Sequence, residues 1–364
     1  MASHTSNPSL RVSSSWMIDY HDIRIGKVIG HGSFGVVYKG VLNGMDVAIK
    51  QVGASASTKE KATAAHMLQR EVKALSRCRH KNIVQLIGAC SNPPMLVLAY
   101  AAKGTLRDLL QEDNSFLPPS IKLELLRGIC DGMIMLHSKD ILHLDLKPEN
   151  VLISADDCPW VADFGLAVAM TATLTSSAGS TKGGRGTMQY KAPEHFADDD
   201  SDSENESKAS SPKVTYNKPA DVYSFGMMCW EIFSGLVPFA GKMDGKIVAA
   251  HIRALNGGKI KRPSLSNIPP EVVPLIEACW SQDPSSRPTF RRAKNMLDEI
   301  RCLDTEEDKS RIAALSVSSV SSMTDTLKRM EDKLDNVETK IDQLAHLQLH
   351  LVQNSDRTID MFED

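Results

Sequence analysis

The chain has 364 residues, 42% of them hydrophobic and 24% charged. It is too long for one small core and suggests two or three units of ordinary globular composition. A formal net charge of −3 gives no reason to expect a nucleic-acid or membrane-surface partner. Seven scattered cysteines with no CxxC pair argue against a disulfide framework or a zinc site, and for reduced thiols in a cytoplasmic compartment.

Residues 1–18 read as a disordered, Ser-rich tail with no secretory signal. From Ile23 the pattern turns strand-like. VVYKGVL and DVAIKQV flank Asn43-Gly44, the dipeptide that most strongly signals a tight hairpin, so Val36–Leu42 and Asp46–Val52 are expected to pair. Over residues 57–78 the period changes. Ser57 or Thr58 offers an N-cap, and Met67, Leu68, Val72 and Leu75 recur at helical spacing. IVQLIG and MLVLAY follow as short strands. After KGTL, near residue 104, helical patterns dominate to about residue 302. Strands first and helices afterward predict an α+β protein of two unlike lobes joined near Ala99–Lys103.

Two segments depart from this. Residues 198–211, DDDSDSENESKASS, carry no large apolar group and read as a disordered acidic insert. Its Ser201, Ser203 and Ser207 are candidate acceptors for an acid-directed kinase. After a linker over 303–322, residues 323–351 place Leu327, Met330, Leu334, Val337, Ile341, Leu344 and Leu351 on alternating three- and four-residue steps, with Gln348 interrupting. That stripe suggests a coiled coil and a homodimer, in which Lys333 at g faces Glu338 at e. The rival reading is a helix laid back on the main domain, or one only partly formed. Residues 352–364 read as a tail, and no apolar run is long enough to span a membrane.

The chemistry-bearing residues are spread along residues 30–163. IGHGSFGVVYKG sets Gly30, Gly32 and Gly35 in a pattern that lets backbone N–H groups close over phosphates. A strand rather than a helix follows, which argues against a dinucleotide fold. Lys50, in VAIK, offers a fixed cation beside that loop, and Glu71, near the apolar face of the helix, is a candidate partner. HLDLKPEN, residues 143–150, supplies Asp145, which can accept a proton from a hydroxyl. It also supplies Lys147, which can neutralise a moving phosphoryl group, and Asn150. Together with Asp163 of ADFG, Asn150 gives hard oxygen ligands suited to Mg²⁺.

This set in this order, with Ala192-Pro193-Glu194, resembles the eukaryotic protein kinases over about residues 22–302. DVYSFG, from Asp221, and CWSQDPSSRPTF, from Cys279, look like their later motifs. The stretch IDYHDIRIGKVIGHGSFGVVYKGVLNGMDVAIK looks most like the tyrosine-kinase-like, Raf-like group. The resemblance implies a kinase domain over 19–302, with a mainly antiparallel small lobe (about 19–99) and a helical large lobe (about 100–302). It further implies ATP in the cleft between the lobes, walled by Ile29, Gly30, Gly32, Ser33, Gly35, Val37, Ala48, Lys50, Leu98 and Leu152. Leu98 would guard the back of the adenine pocket, and Ala99 and Ala101 would give hinge contacts. It implies Lys50–Glu71 and Glu194–Arg287 ion pairs, Asp145 as catalytic base, and Ser/Thr phosphorylation of protein substrates, with dual specificity left open. Thr187 is expected to hydrogen-bond Asp145 and Lys147.

The family pattern is His-Arg-Asp, and this chain has His143-Leu144-Asp145. In relatives that Arg meets a phosphate on the activation segment. Leu144 cannot, so activity is expected not to depend on a phosphate docked beside Asp145. The segment still holds Thr171, Thr173, Thr175, Ser176, Ser177, Ser180 and Thr181, with Lys182 and Arg185 as solvated cations or substitute partners. Lys191 departs from the common pattern without a physical account. The rival function is a pseudokinase scaffold. Such chains usually lack one of the residues that stand here as Lys50, Asp145 and Asp163.

Overall fold

A computed structural model of the chain describes residues 13–32, 35–51, 58–111, 117–169, 187–196, 216–241 and 262–301, with isolated positions at 247, 304, 306, 309 and 328. The chain divides into two compact units, Met1–Leu303 and Asp304–Asp364. Of the second, the described positions are few: Glu306 and Lys309 are helical and form an ion pair at 2.6 Å, and Lys328 is helical. The acidic insert, the hydroxyl-rich stretch 171–181 and, apart from Lys328, the heptad stripe lie outside the described residues.

The first unit begins with a five-stranded antiparallel sheet in the order β1-β2-β3-β5-β4. Its strands are β1 (Ile23–Gly32), β2 (Gly35–Leu42), β3 (Met45–Gln51), β4 (Leu86–Ser91) and β5 (Pro94–Ala99). The expected hairpin forms. Val36 pairs with Gln51 and Leu42 with Met45, and Asn43 and Gly44 turn with φ of 50° and 82°, the left-handed geometry that Asn and Gly tolerate best. Helix α1 (Thr58–Leu75) buries Leu68, Val72 and Leu75.

Residues 13–18, part of the stretch expected to be a disordered tail, hold a defined structure. Ser14–Trp16 forms one 3₁₀ turn, Met17 bridges Ala89 in parallel, and the Ile18 N–H donates to the Ala89 carbonyl at 3.0 Å. Trp16 packs on the main apolar cluster and Ile18 on a smaller one formed within the sheet. These two anchors outweigh the polar composition around them.

The second part of the unit is mainly helical: α2 (Leu106–Gln111), α3 (Pro119–Ser138), α4 (Lys218–Ser234), α5 (Val273–Cys279) and α6 (Phe290–Glu299). α4 is buried without a break from Ala220 to Phe233, as expected of a helix apolar all round. Asn217 caps its start and Gly235, at φ 71°, ends it. Helical periodicity did not foreshadow four short strands: β6 (Ile141–Leu142), β7 (Val151–Ile153), β8 (Pro159–Val161) and β9 (Val168–Ala169). They pair β6 with β9 and β7 with β8. Strands of two or three residues leave no alternation to read. They matter because the loops between them carry the site.

Candidate active site

Lys50 lies on β3, where its cross-strand partners are Val37 and Leu96. Ala48, two residues earlier and therefore on the same face, pairs with Leu98. Ala48 and Leu98 belong to the main apolar cluster, and the half-buried Val37 and Leu152 pack against it, so four of the residues expected to line an adenine pocket share one apolar cluster. Ile29 is 40% exposed and stands outside that cluster, at the end of β1 near the glycines. A Cβ built on Gly30 would meet nothing within 4 Å, so the space that this glycine leaves is open for a ligand to approach. Ser33 lies outside the described residues. Ala99 ends β5, and its N–H donates to the Gln85 carbonyl at 2.9 Å. Ala101 follows in the connection to α2.

The Lys50 ammonium donates to Glu71 Oε2 at 2.8 Å and to Asp163 Oδ1 at 2.7 Å. Both Lys50 and Glu71 are buried. Burial pulls the Lys50 pKa down, but the two carboxylates raise it further, so it stays charged. Burial raises Glu71 despite Lys50, and the Phe164 N–H opposes that rise. Burial also acts to raise Asp163, but Lys50 outweighs it, and the carboxylate sits below its ordinary range. Asp163 adopts φ 61°, in the left-handed region. The next residue, Phe164, is fully buried with its ring 5.3 Å from that of His143.

His143 to Lys147 form the loop after β6, and Pro148–Asn150 add one 3₁₀ turn. Asp145 Oδ1 accepts from the Thr187 N–H and hydroxyl, each at 2.8 Å. Asp145 Oδ2 accepts from Asn150 Nδ2 at 3.0 Å and faces Lys147 Nζ at 3.1 Å. The Lys147 ammonium also donates to the Thr187 hydroxyl at 2.7 Å. Asp145, Lys147 and Thr187 therefore form one closed set of contacts, as expected.

Asn150 spends its amide on the Asp145 side chain and, at 2.7 Å, on the Asp145 carbonyl, and its carbonyl oxygen remains to ligate. The Ala162 N–H donates to the Asn150 backbone carbonyl at 2.9 Å, which brings Asn150 beside Asp163. Among the described residues no cluster of three or more His, Cys, Asp or Glu could hold a metal alone. Two oxygen donors completed by phosphates and water suit Mg²⁺, which is held in such sites by one or two protein groups. The residues present fit that ion.

Three buried arrangements support the site. Asp221 of α4 accepts from the N–H groups of His143 (3.0 Å) and Leu144 (2.8 Å) and meets His137 Nε2 at 2.8 Å. Burial would raise its pKa, but His137, His143 and the Leu144 N–H together hold it lower. Glu194 is gripped at both oxygens by Arg287, at 2.7 and 2.9 Å, the ion pair expected from the motifs. Arg107 of α2 reaches Glu149 at 3.0 Å, the Tyr190 hydroxyl at 2.8 Å and Glu231. Tyr190 in turn donates to Glu231. DVYSFG and the stretch from Tyr190 to Glu194 stand out in the sequence, but no role for Asp221, Tyr190, Arg107 or Glu231 follows from it. Their partners lie 41 to 124 residues away, beyond any local pattern. Lys191 is buried and still has no account.

The chain matches the family model described as protein tyrosine and serine/threonine kinase over residues 23–297. It is 31% identical over 331 residues to the serine/threonine/tyrosine-protein kinase HT1 of Arabidopsis thaliana, covering 90% of this chain and 77% of the relative. It is 30% identical to the probable serine/threonine-protein kinase drkD of Dictyostelium discoideum, over 82% of this chain but 21% of that protein. To human mitogen-activated protein kinase kinase kinase 7 it is 28% identical, over 93% of this chain and 54% of that protein. The chain thus spans most of the first relative and well under two thirds of the other two. With the fold, the paired Lys50–Glu71 and the intact Asp145 set, these matches place the chain in the eukaryotic protein kinases, tyrosine-kinase-like group, as a protein serine/threonine kinase.

Proposed function

We propose that the chain transfers the γ-phosphoryl group of ATP to Ser and Thr hydroxyls of protein substrates, with Asp145 as the base. The observation that carries this reading is the doubly held Asp145 carboxylate, fixed by Thr187 on one oxygen and by Asn150 and Lys147 on the other. Little covalent chemistry is asked of the protein, so position and charge supply most of the rate.

The substrate hydroxyl gives its proton to Asp145 as its oxygen bonds to the γ-phosphorus. The bond from that phosphorus to the β–γ bridging oxygen breaks, and ADP leaves. Lys147, beside the base, offsets the negative charge gathering on the transferring group. Lys50, held by Glu71 and Asp163, orients the remaining phosphates. Asn150 and Asp163 would hold Mg²⁺, which supplies charge neutralisation at the phosphates when bound. Gly30, Gly32 and Gly35 would cover the phosphates from above.

Thr187 joins the base to the segment that leads into Ala192–Glu194, and this supports Ser/Thr specificity. The relative from Arabidopsis carries tyrosine in its name as well, which makes the product the test. Phosphoamino-acid analysis of a protein substrate labelled by the wild type should give phosphoserine and phosphothreonine. Asp145→Asn should give no label while retaining ATP. Phosphotyrosine as the main product would overturn the specificity, and label from Asp145→Asn would overturn the base.

Two further readings belong here. Leu144 makes the active arrangement independent of a phosphate docked beside Asp145. The heptad stripe over 323–351 pairs two copies of the chain, which raises local concentration and favours transfer between them. Among the described residues no helix is long and apolar enough to cross a membrane.

A further inference from the structure

Leu144 stands between His143 and the base with φ of 66°. A non-glycine residue in the left-handed region is strained and persists only where its surroundings over-determine it. Two such constraints are present. The Leu144 N–H donates to Asp221 at 2.8 Å. Its side chain is 7% exposed and packs with Leu142 and the half-buried Tyr216 in a small apolar cluster separate from the main core.

Tyr216 also has a second neighbour. Its ring meets that of His195 edge to face, with centroids 4.7 Å apart, a geometry in which aromatic pairs attract. His195 follows Glu194, which Arg287 fixes at both oxygens. His195 Nε2 is buried and has no hydrogen-bond partner among the described residues, so this imidazole serves by packing. One aromatic ring thus bridges the anchored end of the Ala192–Glu194 segment and the residue next to the base. At position 144 this chain thus places an apolar side chain against a ring of its own.

We infer that Tyr216 is a positioning residue for phosphoryl transfer. Seated on Leu142 and Leu144 and braced by His195, its ring holds the Asp145 loop in its working conformation without a phosphate. This rests on the reading of Asp145 as the base. The seat made by Leu142 and Leu144 is apolar and carries no charge, so its hold on the ring is insensitive to salt.

The test uses the full chain after dephosphorylation and compares wild type, Tyr216→Ala, Tyr216→Phe and Asp145→Asn. Two readouts are taken: steady-state transfer to a generic basic protein, and amide hydrogen exchange over residues 141–146. In Tyr216→Ala, kcat is expected to fall on the order of tenfold to a hundredfold. Its KM for ATP should not change, the fall should be the same at low and high salt, and residues 141–146 should exchange faster. Tyr216→Phe keeps the ring and is expected to match the wild type in both readouts. The inference is overturned if exchange over 141–146 in Tyr216→Ala equals that of the wild type. It is equally overturned if Tyr216→Phe is as impaired as Tyr216→Ala, or if exchange rises uniformly over the whole domain, the mark of a general loss of stability. Asp145→Asn that still transfers phosphate would sink the assignment of the base instead. In that case the exchange data alone decide whether Tyr216 holds the loop.

Discussion

Thr187 binds the Asp145 carboxylate twice at one oxygen, through its backbone N–H and its hydroxyl, each at 2.8 Å. The same hydroxyl accepts from Lys147 at 2.7 Å. A single residue therefore orients the Asp145 carboxylate and holds the Lys147 ammonium. Thr187→Val keeps the backbone bond and the shape but removes both side-chain bonds. The expected result is a drop in kcat of about tenfold, the low end for losing a positioned hydrogen bond. Thr187→Ser should recover most of it. Steady-state kinetics on both variants checks this, and an unimpaired Thr187→Val would contradict it.

Arg287 is buried and grips Glu194 with two parallel bonds, while also donating to the carbonyls of Ser281 and Pro219. Removing one partner of a buried pair strands the other. Arg287→Ala is expected to destabilise the domain by about 3 kcal/mol, lowering the melting temperature by roughly 6–12 °C. Arg287→Lys should recover little of this, because an ammonium cannot make the two-pronged contact. Thermal unfolding measures both.

How far the structure could be read in advance depended on range. The Asn43-Gly44 hairpin, helix α1 and the motif residues Lys50, Asp145, Asn150 and Asp163 were legible, because each announces itself by local spacing or by an ordered set of residue types. Lys50–Glu71, Glu194–Arg287 and Thr187–Asp145 could be paired because the motifs imply them. Tyr216, His195, Asp221 and the Arg107–Glu231 contact were not legible as neighbours. Each owes its place to packing across the chain, which no period records. Trp16 and Ile18 were hidden inside a Ser-rich stretch, where composition says tail but two apolar side chains find a seat.

That seat makes a prediction of its own. A Cβ on Gly88 would come within 2.4 Å of Ile18 Cδ1 and 2.8 Å of the Trp16 carbonyl oxygen. The side chain can move, but the carbonyl is backbone. Gly88→Ala should therefore detach Ser13–Ile18 from the edge of β4, costing about 1–3 kcal/mol, as overpacking does. Limited proteolysis should cut near Trp16 in the variant sooner than in the wild type. Equal cutting would mean that the segment is not seated there.

His195 predicts a pH effect. Burial, chiefly, lowers its pKa from 6.5 to about 4. Glu194 and Asp221 act to raise it, and Lys191 and Arg287 to lower it further. The folded chain thus refuses a proton that the unfolded chain accepts below pH 6.5. The resulting stability is complete above pH 6.5, is lost as the pH falls toward 4, and changes no further below that. Between pH 7.5 and 5 the loss is about 2 kcal/mol. His195→Phe keeps a ring against Tyr216 and removes the proton site. Over that interval the wild type should lose roughly 4–8 °C more in melting temperature than the variant. Parallel curves would contradict this.

The central claim is that Asp145 and its held set make an active kinase whose arrangement needs no phosphate beside the base. The most direct measurement is transfer of labelled phosphate from ATP and Mg²⁺ to a generic basic protein by the dephosphorylated chain, with Asp145→Asn beside it. The account predicts transfer that survives dephosphorylation and vanishes in the variant. Transfer lost on dephosphorylation would contradict the role given to Leu144, and no transfer in any form, with ATP still bound, would contradict the claim as a whole.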